Sequence, residues 1–230
     1  MKRKRAMVNS QWSMVKGYRA IGLLIVLAVF LASCNSEYTS KKRGYYQVEL
    51  PAKHQYQKFE KEGFPYSFEY PVYGDIIQDS TYFDSTPENP YWINVDFPQY
   101  GGRIFLSYKQ VGGRAIIKMK RPDGMTKDSF TVNEFDRMVE DAFKLTNKND
   151  VVSTSIKETP IKTPNNISGV FFKVGGNAAT AMQFFLSDTT KNFIRGALYF
   201  NSTPNSDSIK PVQDFLQTDI EHMINSFKWK

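Results

Sequence analysis

The sequence predicts an α+β protein in which two helices pack on one antiparallel β-sheet. Three observations lead there. Short aromatic-rich segments alternate apolar and polar residues and end at prolines or glycines, as half-buried strands do. Two segments carry a helical period. Each follows a block of strands, so the order is strands, helix, strands, helix, without the β-α-β alternation of a parallel sheet.

The first 33 residues stand apart from that domain. Lys2, Arg3, Lys4, Arg5, Lys16 and Arg19 precede an uncharged apolar run, Ala20 to Leu31. A positive end, a short apolar run and small residues at a cleavage point make a secretory signal. A spanning helix needs about 20 apolar residues, and this run is shorter. Leu31-Ala32-Ser33-Cys34 resembles a bacterial lipobox, and the only cysteine of the chain sits at the cleavage point. The lipobox implies a covalent lipid on Cys34. The division is then 1–33 signal peptide, 34–43 lipidated cysteine and polar tether, and 44–230 a single domain, with Met14 as a second candidate start.

Removing the signal changes the charge. All 23 acidic residues lie beyond Cys34, but six of the 30 basic ones precede it, leaving 24 against 23. The mature chain is near neutral, which removes the case for nucleic-acid binding. With Cys34 acylated, no thiol remains for a disulfide, a nucleophile or a zinc site. His54 and His222 are the two imidazoles, near opposite ends of the mature chain.

The elements follow in order. Gly44 to Pro51 is extended. Tyr66-Ser67-Phe68-Glu69-Tyr70 alternates and stops at Pro71. Tyr91 to Phe97 and Arg103 to Lys109 give two more strands, joined at Gln99-Tyr100-Gly101-Gly102 by a hairpin turn. Asp75 to Pro90 reads as loop. Its acids Asp75, Asp79, Asp84 and Glu88 lack the spacing of a calcium loop, so no metal site is assigned. Arg114 to Lys127 is locally basic and reads as a solvated loop; its functional alternative is contact with an acidic partner or lipid headgroups. Thr131 and Glu134 fit a capping box, with Phe130 and Phe135 as a staple, opening a helix striped by Val132, Phe135, Met138, Val139, Ala142 and Leu145.

Strands resume at Val151–Ile156, Gly169–Val174, Met182–Leu186 and Phe193–Phe200. The last places Ile194, Gly196, Leu198 and Phe200 on one face and Arg195 and Tyr199 on the other. A second helix runs from about Ile209 to Phe227, with Pro211 in its first turn and a stripe of Val212, Phe215, Leu216, Ile220, Met223, Ile224 and Phe227. His222 falls off that stripe and reads as solvated.

Catalytic signals are sparse. Val174-Gly175-Gly176-Asn177 has the strand and turn of a phosphate loop, but a strand follows rather than a helix, and no lysine stands at the phosphate position. It reads as a hairpin turn in which Gly175, Gly176 or Asn177 takes a positive φ, with small residues that let a partner approach. No G-x-S-x-G elbow occurs, and two histidines leave little for a relay. No spacing singles out a carboxylate pair. Trp92, Trp229 and the many tyrosines read mostly as core.

The spacing of elements and the ending Ile-Asn-Ser-Phe-Lys-Trp resemble the PsbP-like fold, which says nothing of function. A wider ordered set covers nearly all of the mature chain. It comprises Gly44-Tyr45 with Leu50-Pro51, Phe64-Pro65-Tyr66-Ser67-Phe68-Glu69-Tyr70-Pro71, Trp92 to Tyr100, Leu106 to Lys109, Val174 to Ala179, Gln183 to Leu186, Phe193 to Asn201 and Pro204-Asn205-Ser206-Asp207-Ser208. This set resembles the gliding-motility lipoprotein family GldD. The sequence departs from the family at Phe64-Pro65, where many members hold a cysteine, and in its long basic N-terminus.

The resemblance implies a non-enzymatic accessory lipoprotein required for gliding, supporting the gliding and type IX secretion apparatus. It implies other gliding lipoproteins of the GldJ kind as partners, no cofactor beyond the lipid on Cys34, and no catalytic residues. Asn35 after the cysteine points to the outer membrane, facing the periplasm. The rival expectation is an envelope carbohydrate-binding or hydrolytic lipoprotein.

Overall fold

The computed structural model describes residues 48–78, 88–120, 124–149, 153–201 and 206–230, without the side chains of 116–120, 126, 128 and 206–208. The signal, Cys34, the tether and the acids Asp79 and Asp84 lie outside the described residues. Among the described residues twelve strands are formed: β1 (Tyr56–Phe59), β2 (Tyr66–Pro71), β3 (Asp75–Ile77), β4 (Ile93–Phe97), β5 (Gly102–Gln110), β6 (Arg114–Lys120), β7 (Thr126–Val132), β8 (Ser153–Lys162), β9 (Ser168–Gly176), β10 (Thr180–Ser187), β11 (Asn192–Phe200) and β12 (Lys228–Trp229). Helix α1 is Phe135–Asn147 and helix α2 is Ser206–Ser226. The α+β class and the antiparallel pairing expected from the sequence are those observed.

A seven-stranded sheet runs in the order β3-β4-β5-β11-β10-β9-β8. Its register explains how one sequence serves two faces. In β11, Ile194 and Leu198 are buried toward α2, whose Leu216, Ile220 and Ile224 join the same core. The alternate residue Phe193 joins Phe172 and Phe185 against Met138 and Ala142 of α1. Each helix therefore covers one face. A smaller sheet, β1-β2-β12, closes the α2 side with Phe59, Tyr66, Phe68 and Phe227, the last two stacked 5.9 Å apart. Burying each such side chain contributes about 1.5–3 kcal/mol.

Several local expectations give way to longer-range pairing. The expected loop at Arg114–Lys127 gives way to strands where it is described: β6 pairs with β7 as a two-stranded sheet, and residues 121–123 lie outside the described residues. That hairpin also removes the capping box. Thr131 and Val132 pair with Ala115 and Arg114, so their backbone groups belong to a ladder. Helix α1 begins at Phe135 with Glu134 as its cap and no side-chain capping bond. Phe130, expected as the staple, stands 55% exposed and carries the Arg114 guanidinium 3.4 Å from its ring centre. Helix α2 begins at Ser206, so Pro211 lies one turn deeper than expected. Pro160 lies inside β8, tolerated because β8 is an edge strand. Part of the expected acidic loop is strand, since Asp75–Ile77 pairs with Asn94–Asp96 as β3.

Candidate functional site

The polar side chain buried most unexpectedly is Asp219, 1% exposed in the apolar face of α2 between Leu216 and Ile220. Three donors from the N-terminal part of the domain converge on it. His54 Nδ1 lies 2.6 Å from Oδ1, Tyr56 donates to the same oxygen at 3.1 Å, and the Tyr73 hydroxyl donates to Oδ2. A carboxylate taken out of water is tolerable only with such partners. Rings extend the arrangement along the helix. His54 stacks on Phe215 at 4.5 Å, and Tyr56 stacks on His222 at 3.5 Å. His222 Nε2 lies 2.7 Å from Oε2 of Glu69. The sequence reading of His222 as a solvated residue is corrected: a stacked tyrosine and a β2 carboxylate hold it.

Chemically this is a clasp. A His–Asp pair acts as a base when a hydroxyl or thiol sits on the free imidazole nitrogen. Among the described residues none is hydrogen-bonded there. Burial, then the charge of Asp219, pushes the Tyr56 phenol up to about 12; burial, then the Asp219 hydrogen bond, pushes Tyr73 up as well. Both stay protonated donors across the physiological range. A raised phenol pKa favours the folded state while the unfolded phenol is still protonated. That stability is fully present below about pH 10 and is lost as pH rises through 10 toward 12. The expected outcome is alkaline unfolding in which tyrosinate absorbance and loss of near-UV circular dichroism rise together. Tyrosinate absorbance that Tyr56→Phe removes, forming well before the unfolding, would contradict it.

The other face holds a groove. Helix α1 covers β8 to β10, and beside it, over β11 and β5, two adjoining hollows of about 390 Å³ and 360 Å³ share Leu145, Lys148 and Arg195. One end is marked by Trp92, Ser107 and Lys109, the other by Ala179, Thr180 and Tyr199. Ala179 and Thr180 directly follow the expected contact loop. Gly176 there has φ 85°, and β9 and β10 flank a tight turn, as the glycine pair predicts. Gly175 and Gly176 both belong to the β8–β9 ladder, pairing with Ser155 and Ser153, and a Cβ added at Gly175 would sit 2.7 Å from the Ser155 hydroxyl. Asn177 is exposed at the tip.

No described group of three or more His, Cys, Asp or Glu side chains is placed to hold a metal. No described helix is long and apolar enough to cross a membrane.

A family model described as gliding motility lipoprotein GldD matches residues 35–229. The chain belongs to that family. Membership brings a role in gliding motility and the envelope association of a lipoprotein. Among solved structures, the solution structure of cyanobacterial PsbP from Synechocystis is similar at 11% identity and a TM-score of 0.39, covering 84% of this chain and 99% of that one. No curated protein matches this GldD-family chain in sequence.

Sequence reasoning passed over the clasp. It read the α2 stripe from Leu216 straight to Ile220, yet Asp219 stands at a stripe position beside both. A lone carboxylate in an apolar stripe was the available signal.

Proposed function

We propose that this GldD-family protein is a lipid-anchored accessory component that supports assembly or stability of the gliding and type IX secretion apparatus by binding other proteins. The observation that carries the binding role is the half-covered sheet: α1 leaves an accessible groove over β5 and β11 that ends at the β9–β10 turn. The partners are other gliding lipoproteins of the GldJ kind and secretion components. The lipid on Cys34 sets the location, at the outer membrane facing the periplasm. Gly176 and Asn177 at the turn present little side chain and let a partner's backbone come close.

The test is complementation of a deletion strain with Cys34→Ala. The expected result is protein in the soluble envelope fraction and gliding lost or strongly reduced, since several acyl chains, each buried CH₂ contributing about 0.8 kcal/mol, are absent. Full gliding by the soluble form would remove the anchor from the mechanism. Cross-linking and detergent extraction of the parental strain should recover gliding or secretion components; recovering none would sink the partner claim.

A further inference from the structure

Two strands alone make a marginal sheet in water, and β6 and β7 pair with no strand but each other. One face of this hairpin is packed, since Ala115 is buried. The register sets Arg114 opposite Val132 and Ile116 opposite Phe130, which puts Arg114, Phe130 and Val132 on the other face. That face looks outward: Arg114 is exposed, Phe130 is 55% exposed and Val132 52%. Met125, just before β7, is 62% exposed. Seven large apolar side chains stand exposed among the described residues, and three of them fall between Met125 and Val132. The other four, Val48, Val72, Ile77 and Leu145, belong to four other segments. Single exposed apolar residues are ordinary, whereas a cluster marks a contact surface.

The same strands concentrate positive charge. β6 and β7 hold Arg114, Lys118, Lys120 and Lys127 against one acid, Asp128, a balance of +3. From Cys34 onward the chain has 24 bases and 23 acids, so the remainder holds 20 against 22, a balance of −2. The hairpin is thus the positive pole of an otherwise slightly acidic chain. Lys118 and Lys120 continue the register positions of the Arg114 face. Among the described residues no carboxylate pairs with Arg114 or Lys127: the Arg114 guanidinium lies over the Phe130 ring, and Lys127 is exposed. A guanidinium stacked on a ring keeps its N–H edge for an anion.

We propose that the outward face of this hairpin docks on the anionic phospholipid surface of the bilayer that holds the lipid anchor. The proposal rests on the Cys34 anchor put forward above and adds the orientation of the domain. Fourteen residues lead from Cys34 to Val48 and span at most about 50 Å. The ten residues of β8 cover about 33 Å. A tether of that reach lets any face of the domain turn to the bilayer, and surface chemistry decides which one does. Arg114 and the lysines of β6 meet the lipid phosphates, while Phe130, Val132 and Met125 enter the boundary between headgroups and acyl chains. An acidic protein fits less well. The hairpin lines neither hollow beside α1, and a stable protein contact needs pockets for its anchoring side chains, which a fluid bilayer does not.

The test reconstitutes the full lipoprotein in vesicles of phosphatidylcholine with and without phosphatidylglycerol. An environment-sensitive fluorophore is attached at Met125→Cys, and at Gln57→Cys on β1 as a control; with Cys34 acylated, the new thiol is the only one. When phosphatidylglycerol is present, the Met125→Cys label should shift to the blue and be reached by a quencher held in the acyl chains. Added salt should reverse the shift. The label on β1 should stay in water in both vesicles. Arg114→Glu with Lys120→Glu should abolish the shift, and Arg114→Gln with Lys120→Gln should reduce it; thermal melts matching the parental protein confirm that the variants fold. A Met125→Cys label that stays in water on anionic vesicles overturns the proposal. So does a shift unchanged by charge reversal in a folded protein. A label shielded by added polyglutamate but not by anionic vesicles overturns it in favour of an acidic protein. Flotation separates the docking from the anchor. Protein that floats with neutral vesicles, while its hairpin label stays in water on anionic ones, keeps the anchor and overturns the docking. Protein that fails to float with neutral vesicles overturns the anchor, and the docking with it.

Discussion

Asp219→Ala is expected to destabilise the domain by about 2–4 kcal/mol, a large part of the 5–15 kcal/mol that holds an ordinary domain together. The substitution removes one acceptor group and strands three donors: the imidazole of His54 and the hydroxyls of Tyr56 and Tyr73. Each buried donor left without a partner costs about 1–3 kcal/mol, and water reaching His54, which is 29% exposed, lowers the sum. Asp219→Asn should lose less, because one acceptor oxygen survives. The loss should also have a location. His54 and Tyr56 lie where the chain enters the domain from its N-terminal side, so β1 should loosen from α2 before the seven-stranded sheet opens. Urea unfolding gives the magnitude. Hydrogen exchange at Tyr56–Phe59 gives the place. A change below about 1 kcal/mol with β1 still protected would mean that stacking on Phe215 and His222, not the carboxylate, fastens the segment.

The strands that sequence could read are those whose two faces differ. β2, β4, β5 and β11 alternate because one side meets the α2 core and the other meets polar or α1-side surroundings. β1, β3 and β12 have four, three and two residues, too few for a period to register. The β6–β7 hairpin was hidden for another reason. Its cations interrupt the apolar pattern, and its pairing partner is itself rather than the main sheet. The capping-box motif at Thr131 was a sound local signal. It lost to the Asn133 N–H donating to the Gly113 carbonyl at 2.8 Å and to the ladder on its N-terminal side. Tertiary pairing overrides local propensity where the same backbone groups are claimed twice.

The sites were less legible than the fold. Glycine at 176 announced its turn because a positive φ has a residue signature. The clasp joins Asp219 to partners 146 to 165 residues away in sequence, and nothing local pairs them. The groove is assembled from Trp92 just before β4, from β5, β10 and β11, and from α1 and the residues after it, so its side chains look scattered along the chain until the fold brings them side by side.

Gly169→Ala is expected to be the most damaging methyl group that can be added to the main sheet. Gly169 lies in β9 opposite Leu186 of β10. A Cβ there would stand 1.8 Å from the carbonyl oxygen of Phe185, 2.9 Å from its carbon and 3.2 Å from the Leu186 Cα. All three are backbone atoms, so no rotamer change can make room. β9 is held by β8 on its other side, so relief must come from opening the β9–β10 ladder at Val170–Phe185 and Gly169–Leu186. Overpacking a side chain costs about 1–3 kcal/mol; forcing two backbones apart should exceed that and leave little soluble protein. Two other glycines set the scale. Gly196→Ala meets the Phe184 ring at 2.2 Å, a buried side chain that can shift in part, so the loss should be smaller. Gly63→Ala meets nothing within 4 Å and carries only the strain of φ +80°, about 1–2 kcal/mol. Thermal midpoints should therefore fall in the order Gly63, Gly196, Gly169. A soluble Gly169→Ala protein with an unchanged midpoint would mean that β9 and β10 do not pair in this register.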